Sequence, residues 1–155
     1  TADGLMVPPD SWIQTRMIAM AGGIPIWKGS NPGSGWAKVS PEQLQAWNPD
    51  IMLVINYRED AKLAAQKIMK DNAYKAINAI KTGKVFGFAQ DFYSWDQPDT
   101  RWILGLLWVA KIINPENTQT VQIREEAFEF FNYFYGIDRS AFEEKIAIKF
   151  GGSIE

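Results

Sequence analysis

Five apolar residues in a row, Ile51-Met-Leu-Val-Ile55, constrain this chain more than any other feature. A strand with one face in water alternates apolar and polar residues. A strand apolar at every position has both faces covered, as in a parallel sheet between helix layers. The run is entered from a helix with explicit start signals. Ser40 supplies a cap, Pro41 suits the first helical position, and Gln43 completes a Ser-x-x-Gln box. The helix is expected to stop before Asn48-Pro49, because a residue ahead of proline is pushed out of the α region. Upstream, Trp36 leaves a glycine-rich loop, which places it at the surface.

The rest of the chain reads as strands alternating with helices. Gly4–Val7 is the end of a strand leading into Pro8-Pro9. Ser11, with Gln14 at the capping-box position, starts a helix that carries Ile13, Met17 and Met20 along one side. Ala21-Gly22-Gly23 stops it. Lys28 to Gly35 is a loop on composition. After the apolar strand come a turn at Asn56-Tyr57-Arg58, a helix over Glu59–Lys70, a shorter one over Tyr74–Ile80, and a strand at Lys84–Phe88. Ala89 to Pro98 is a polar loop. Asp99 caps a helix to about Ile113, with Trp102, Ile103, Leu106, Leu107, Ala110 and Ile113 assigned to its buried face. A helix over Ile123–Tyr135, closed by Gly136, has Phe128, Phe131, Phe134 and Tyr135 on its apolar side. Ser140 and Glu143 form a box for the last helix. The pattern predicts one α/β domain over residues 1–155, three layers with a central parallel sheet and helices on both faces.

Several function classes are disfavoured at this stage. A net charge of −2 argues against nucleic acid as the main partner. The chain contains no histidine, so no imidazole can act as metal ligand or general base, and no cysteine. A nucleophile-elbow serine and a phosphate-cradling glycine loop are also missing. Seven tryptophans are a surplus over what a core of this size requires and point to an aromatic binding face.

Ligands of open α/β sheets sit beyond the carboxyl ends of the strands. The loops at Val7–Trp12, Lys28–Trp36 and Ala89–Trp95 follow predicted strands, and each contains or abuts a tryptophan. The candidates are therefore Trp12, Trp36, Tyr93 and Trp95, each weighed against core packing. Asp91 and Asp96 flank the last pair. They could serve acid–base chemistry, but such aspartates more often cap turns and helices. Arg101 can pair with Asp96 or Asp99, or reach an anionic ligand. Glu42, at the second helical position, complements the helix dipole.

The motifs also carry a resemblance. Trp36 followed by Ser40, Glu42, Leu44, Pro49 and Asp50 is similar to the "Ser-x-Glu-x-Leu-x-x-x-x-Pro-Asp" passage of class III substrate-binding proteins of ABC importers. In order along the chain, Ala21-Gly-Gly23, Ala79-Ile-Lys-Thr-Gly-Lys-Val-Phe86, the tryptophan loop with Pro98-x-x-Arg101, Trp108-x-Ala-Lys111 and Pro115-Glu116 resemble the family's C-terminal lobe, which implies a short strand at Ile24-Pro-Ile26 after the Ala-Gly-Gly. The resemblance implies an extracytoplasmic protein, periplasmic or at the cell surface, including a lipid-anchored form. It implies no catalysis. Its ligand would be a metal chelate such as an iron–siderophore complex, haem or cobalamin, with an oxyanion also open. Trp12, Trp36, Tyr93, Trp95, Asp91 and Arg101 would contact it. Partners would be an ABC permease, docked through Glu42, and an N-terminal lobe of the same protein. Two other readings stay open: an α/β enzyme using Asp91 or Asp96 as base, and a carbohydrate-binding module.

Overall fold

The structure, a computed structural model, describes residues 4–31 and 33–154. Pro32, in the predicted loop, lies outside the described residues. The all-apolar run forms β3 (Met52–Val54), which pairs in parallel with β4 (Val85–Gly87). The register is Met52 to Val85, Leu53 to Phe86 and Val54 to Gly87. Side chains alternate faces along a strand, and both faces meet helices. Met52, Val54 and Val85 join a core with Ala65 and Ile68 of α3 (Ala61–Lys70) and Leu44 of α2 (Pro41–Trp47). Leu53, Ile55 and Phe86 pack on a second core built from α5 (Trp102–Ile113), α6 (Ile123–Tyr135), Met17 of α1 (Ile13–Met20), and the C-terminal turns. The parallel, helix-covered sheet predicted from Ile51–Ile55 is thus present.

Gly87 sits on the α3 side of β4. A Cβ there would strike the backbone of Ala61 and Lys62, so glycine lets the start of α3 lie against the strand. The outer edge of β4 is closed by the chain's last described residues. Ser153 N–H donates to the Gly87 carbonyl (2.8 Å), Gly87 N–H donates to Ser153 Oγ (3.0 Å), and Gln90 and Gly151 exchange backbone bonds. Trp108 Nε1 ties the segment from below, donating to the Ser153 carbonyl at 2.7 Å.

Several local expectations are replaced. The strand expected at Ile24–Ile26 is a series of turns. Pro25 has no N–H for a ladder, its carbonyl accepts from Lys28 N–H, and Ile24 is exposed. The partner of β1 (Leu5–Val7) is instead β2 (Ala37–Val39), antiparallel, a strand absent from the sequence reading. α1 has no side-chain cap: the Ser11 box does not form, because Gln14 turns inward and becomes buried. α2 is capped as expected, Ser40 Oγ accepting from Gln43 N–H at 3.2 Å. Its stop at Asn48 is a left-handed residue, φ 47°, whose N–H still bonds Leu44.

The helix expected over Tyr74–Ile80 breaks into a 3₁₀ turn (Asn72–Tyr74) and α4 (Asn78–Lys81), the latter started by Asn48 Oδ1 accepting from Asn78 N–H. The last helix, α7 (Arg139–Ala141), is capped by Asp138 rather than Ser140, whose hydroxyl donates to Glu144. It runs on as a wide π turn (Phe142–Ile146) and a 3₁₀ turn (Ala147–Lys149).

The buried face of α5 is Leu104, Gly105, Trp108 and Val109, and Ile103 is exposed. This helix is apolar nearly all round, so spacing could not choose its face. In α6 the buried set is Ile123, Ala127, Phe130 and Phe131, while Phe134 and Tyr135 point to solvent.

Gly105 brings α5 onto the loop after β4: a Cβ there would meet the Trp95 carbonyl. Gly105→Ala is therefore expected to destabilise. Helix propensity alone favours alanine by about 1 kcal/mol, but overpacking of about 1–3 kcal/mol opposes it. Urea denaturation checks the sign.

Candidate functional site

Residues at the carboxyl ends of β3 and β4 enclose an open groove of about 930 Å³. One wall is the loop Asn56–Asp60, which follows β3. The other is the loop from Gln90 to Arg101, which follows β4. The parallel pairing places both loops on one edge, so the groove is a direct product of the sheet's topology.

The second loop is shaped from within by two buried aspartates. Asp91 Oδ1 accepts from Tyr93 N–H (3.1 Å), which turns the chain, and pairs with Arg101 Nη1 (3.0 Å). Arg101 also reaches Asp99, Nη2 to Oδ2 at 2.6 Å, and Asp99 Oδ1 accepts from Arg101 N–H. Burial works against the Arg101 cation, but Asp99 and Asp91 outweigh it and hold the guanidinium above its ordinary value. The guanidinium stands 5.0 Å from the centre of the Tyr93 ring. Asp96 is fully buried. Its Oδ2 accepts from Gln14 Nε2 of α1 (2.9 Å) and from the Tyr57 hydroxyl (2.5 Å). Burial first, and then the Asp96 bond and charge, push the Tyr57 hydroxyl well above its usual range.

The structure separates the residues singled out in the sequence into three sets. Tyr93 and Arg101 line the groove, with Asp91 directly behind them. Trp12 and Trp36 come together elsewhere on the molecule, ring centres 5.9 Å apart and planes at 90°, both half-buried, where α1 starts and β2 begins. Neither lines the groove. Trp95 is a core residue with no exposed surface, packed edge-on against Phe150 at 5.7 Å. That corrects its placement at the ligand face: the close approach of α5 at Gly105 draws the Trp95 backbone inward. Glu42 is exposed in the first turn of α2. Its own N–H and the Ser40 hydroxyl hold its carboxyl below the usual value.

Tyr57, Arg58 and Phe92 were missed as groove residues. Tyr57 and Phe92 are more than half exposed, and Arg58 is exposed with no ion pair among the described residues. The signal was available: an aromatic next to an arginine directly after the buried strand. The groove combines the rings of Tyr57, Phe92 and Tyr93 with two arginines, Arg58 and Arg101, and three carboxylates, Glu59, Asp60 and Asp99, a mixed surface suited to an aromatic small molecule with polar substituents. Among the described residues, no three acidic side chains stand close enough to hold a metal ion.

Comparison with known proteins bears on this geometry. Residues 3–91 match the family described as Periplasmic binding protein. The chain is 29% identical over 102 residues, 65% of its length, to the molybdate-binding protein MolA of Haemophilus influenzae. It superposes on the crystal structure of MolA bound to molybdate with a TM-score of 0.71 and 25% identity over 89% of this chain. A periplasmic solute binding protein from Veillonella parvula gives 0.73 and 26% over 94%. A Helicobacter pylori protein, CeuE, solved with Ni(II), shares the fold at 0.72 and 17% identity over 91%. The chain spans less than half of these relatives: 28% of the MolA sequence, and 41%, 45% and 44% of the three crystal chains.

The Arg101 pairs give a stability prediction. Removing one partner of a buried pair leaves an uncompensated charge, which costs about 3 kcal/mol or more. Arg101→Ala is expected to destabilise by about that much, and Asp91→Asn in the same chain to recover part of the loss. Urea denaturation of the two single variants and the double variant measures the coupling.

Proposed function

The chain belongs to the periplasmic binding protein family, and from that membership we propose that it is the C-terminal lobe of a two-lobed substrate-binding protein serving an ABC importer. The family is extracytoplasmic and its members bind solutes rather than transform them. The enzyme reading is set aside on that ground, and Asp91 and Asp96 both have structural partners. The carbohydrate-module reading is left without support.

The observation that carries the proposal is the groove over the carboxyl ends of β3 and β4, open on the side where a second lobe would close it. Our reading of the ligand is an acidic metal chelate, an iron complex foremost. Ring faces of Tyr57, Phe92 and Tyr93 would take its organic part, and the exposed Arg58 its charge, Arg101 being paired with Asp91 and Asp99. A second reading, an oxyanion, is favoured by the likeness to the molybdate-binding relative.

Glu42 is held at the start of α2 with its side chain in solvent. This geometry supports a role in docking on an arginine of the permease.

Two measurements follow. Ferric catecholate and molybdate are titrated into the chain, followed by tryptophan and tyrosine fluorescence. The chelate is expected to bind, and to bind the protein carrying both lobes more tightly, since half the enclosing surface is added. Equal affinities would contradict the two-lobe reading. Glu42→Gln is expected to leave unfolding and ligand affinity unchanged while slowing uptake in reconstituted transporter; wild-type uptake would remove the docking role.

A further inference from the structure

The Tyr57 ring is more than half exposed, yet its hydroxyl is bound to a carboxylate with no exposed surface. The bond joins the two walls of the groove, since Tyr57 follows β3 and Asp96 lies in the loop after β4. Gln14 of α1 holds the same Asp96 oxygen from the other side. The second Asp96 oxygen, and the Gln14 side-chain oxygen, have no partner among the described residues. A buried carboxylate with an unpartnered oxygen weakens a fold, and an apolar residue would serve the core better. The arrangement is therefore poorly explained by stability alone.

What it does achieve is to fix a ring. With its hydroxyl engaged inward, Tyr57 has only its face to offer the groove. Tyr93 is treated in the same way by a different route, lying under an Arg101 guanidinium that Asp91 and Asp99 immobilise. Arg101 is thereby largely committed, and Arg58 is left as the groove's cation without an ion pair among the described residues. A bare metal ion needs several oxygen ligands, and the carboxylates that line the groove are engaged: Glu59 by Lys67, Asp60 by the Lys62 and Gly152 N–H groups, and Asp99 by Arg101. Beside these polar groups the groove offers two held rings, an exposed Phe92, and Arg58.

Resting on the binding-protein reading above, we propose that Asp96 is a positioning residue for ligand capture: it pins Tyr57 as a neutral, flat wall of the groove and so selects ligands that present an aromatic face, such as a metal enclosed in an aryl chelate. The groups facing the Tyr57 hydroxyl are Asp96, Gln97 and Gln14. Asp96 is the charged one, and it disfavours a phenolate. The Tyr57 hydroxyl is turned to Asp96, away from a ligand in the groove.

The experiment compares Tyr57→Phe, Tyr57→Ala, Asp96→Asn and the Tyr57→Phe/Asp96→Asn double variant. The first readout needs no ligand. With tyrosine labelled at the ring carbon bearing the hydroxyl, NMR follows ionisation up to about pH 11.5, against an ordinary value of about 10. The resonance missing from Tyr57→Phe is expected to stay protonated in the wild type and to ionise nearer the ordinary value in Asp96→Asn. Ionisation of Tyr57 in the ordinary range in the wild type would overturn the clamp.

The second readout is affinity for ferric tris(2,3-dihydroxybenzoate), with molybdate in parallel. Tyr57→Phe and Asp96→Asn are each expected to weaken chelate binding about threefold to tenfold, the double variant no more than either single one, and Tyr57→Ala more than about tenfold. Multiplicative losses would show that Asp96 does not act through Tyr57. A wild type that binds molybdate and not the chelate would overturn the selection for flat ligands, whatever the titration shows. Binding of neither probe would overturn the selection as well, and would count against the binding-protein reading too. Should Asp96→Asn fail to fold, equal losses in Tyr57→Phe and Tyr57→Ala would still contradict a pinned ring face.

Discussion

Burial of the β3–β4 pair on both faces is the constraint on which the rest depends. Strand side chains on opposite faces must each find an apolar partner, so the strands need a helix above and a helix below. α3 and α2 supply one cover, and α5 with the C-terminal turns supplies the other. Parallel pairing then leaves no choice about the connections. Both strands point the same way, so both following loops leave from the same edge. The groove is the space between those two loops. Gly87 and Gly105 are two of the places where covering elements come close enough to touch backbone. They turn a pattern of apolar residues into a specific geometry.

The sheet and most of its helices could be read from the sequence because their signals are local and concordant. Ser40, Pro41 and Asn48 bracket α2, Gly136 ends α6, and Ile51–Ile55 excludes a one-sided strand. Readings failed where a residue had a stronger distant partner. Gln14 is a capping-box residue by spacing, but the buried Asp96 claims it from far along the chain. β2 is three residues long and exists because β1 is there to pair with it, which no local pattern announces. In α5 the apolar residues are so many that the helix has no preferred face by periodicity, and tertiary contacts settle which side goes in, Gly105 against the Trp95 carbonyl and Trp108 against Phe88 and Ser153 among them.

The candidate site was half legible for the same reason. The rule that ligands gather beyond strand ends located the loop with Asp91, Tyr93 and Arg101. It could not show that Trp95 faces the core while its neighbour two residues earlier faces solvent, since both sit in one polar loop. Nor could it show that the two aspartates of that loop face inward. Asp91 and Asp96 resemble catalytic residues in composition, yet each has its hydrogen bonds directed at shaping the loop: one through an arginine, the other through a tyrosine and a glutamine. Buried carboxylates in a binding face are here a means of holding other side chains still.

The segment Gly151–Ser153 has a consequence for the edge of the sheet. It occupies the hydrogen-bonding edge of β4 without being a strand, using two backbone exchanges with Gln90 and a serine hydroxyl. An uncovered strand edge is a template on which a second chain can add itself. Closing it with an irregular segment rather than another strand ends the ladder, because Gly152 takes a left-handed conformation, φ 74°, that a continuing strand would not adopt. The residues that pair with the edge of β4 therefore also deny that edge to a second chain.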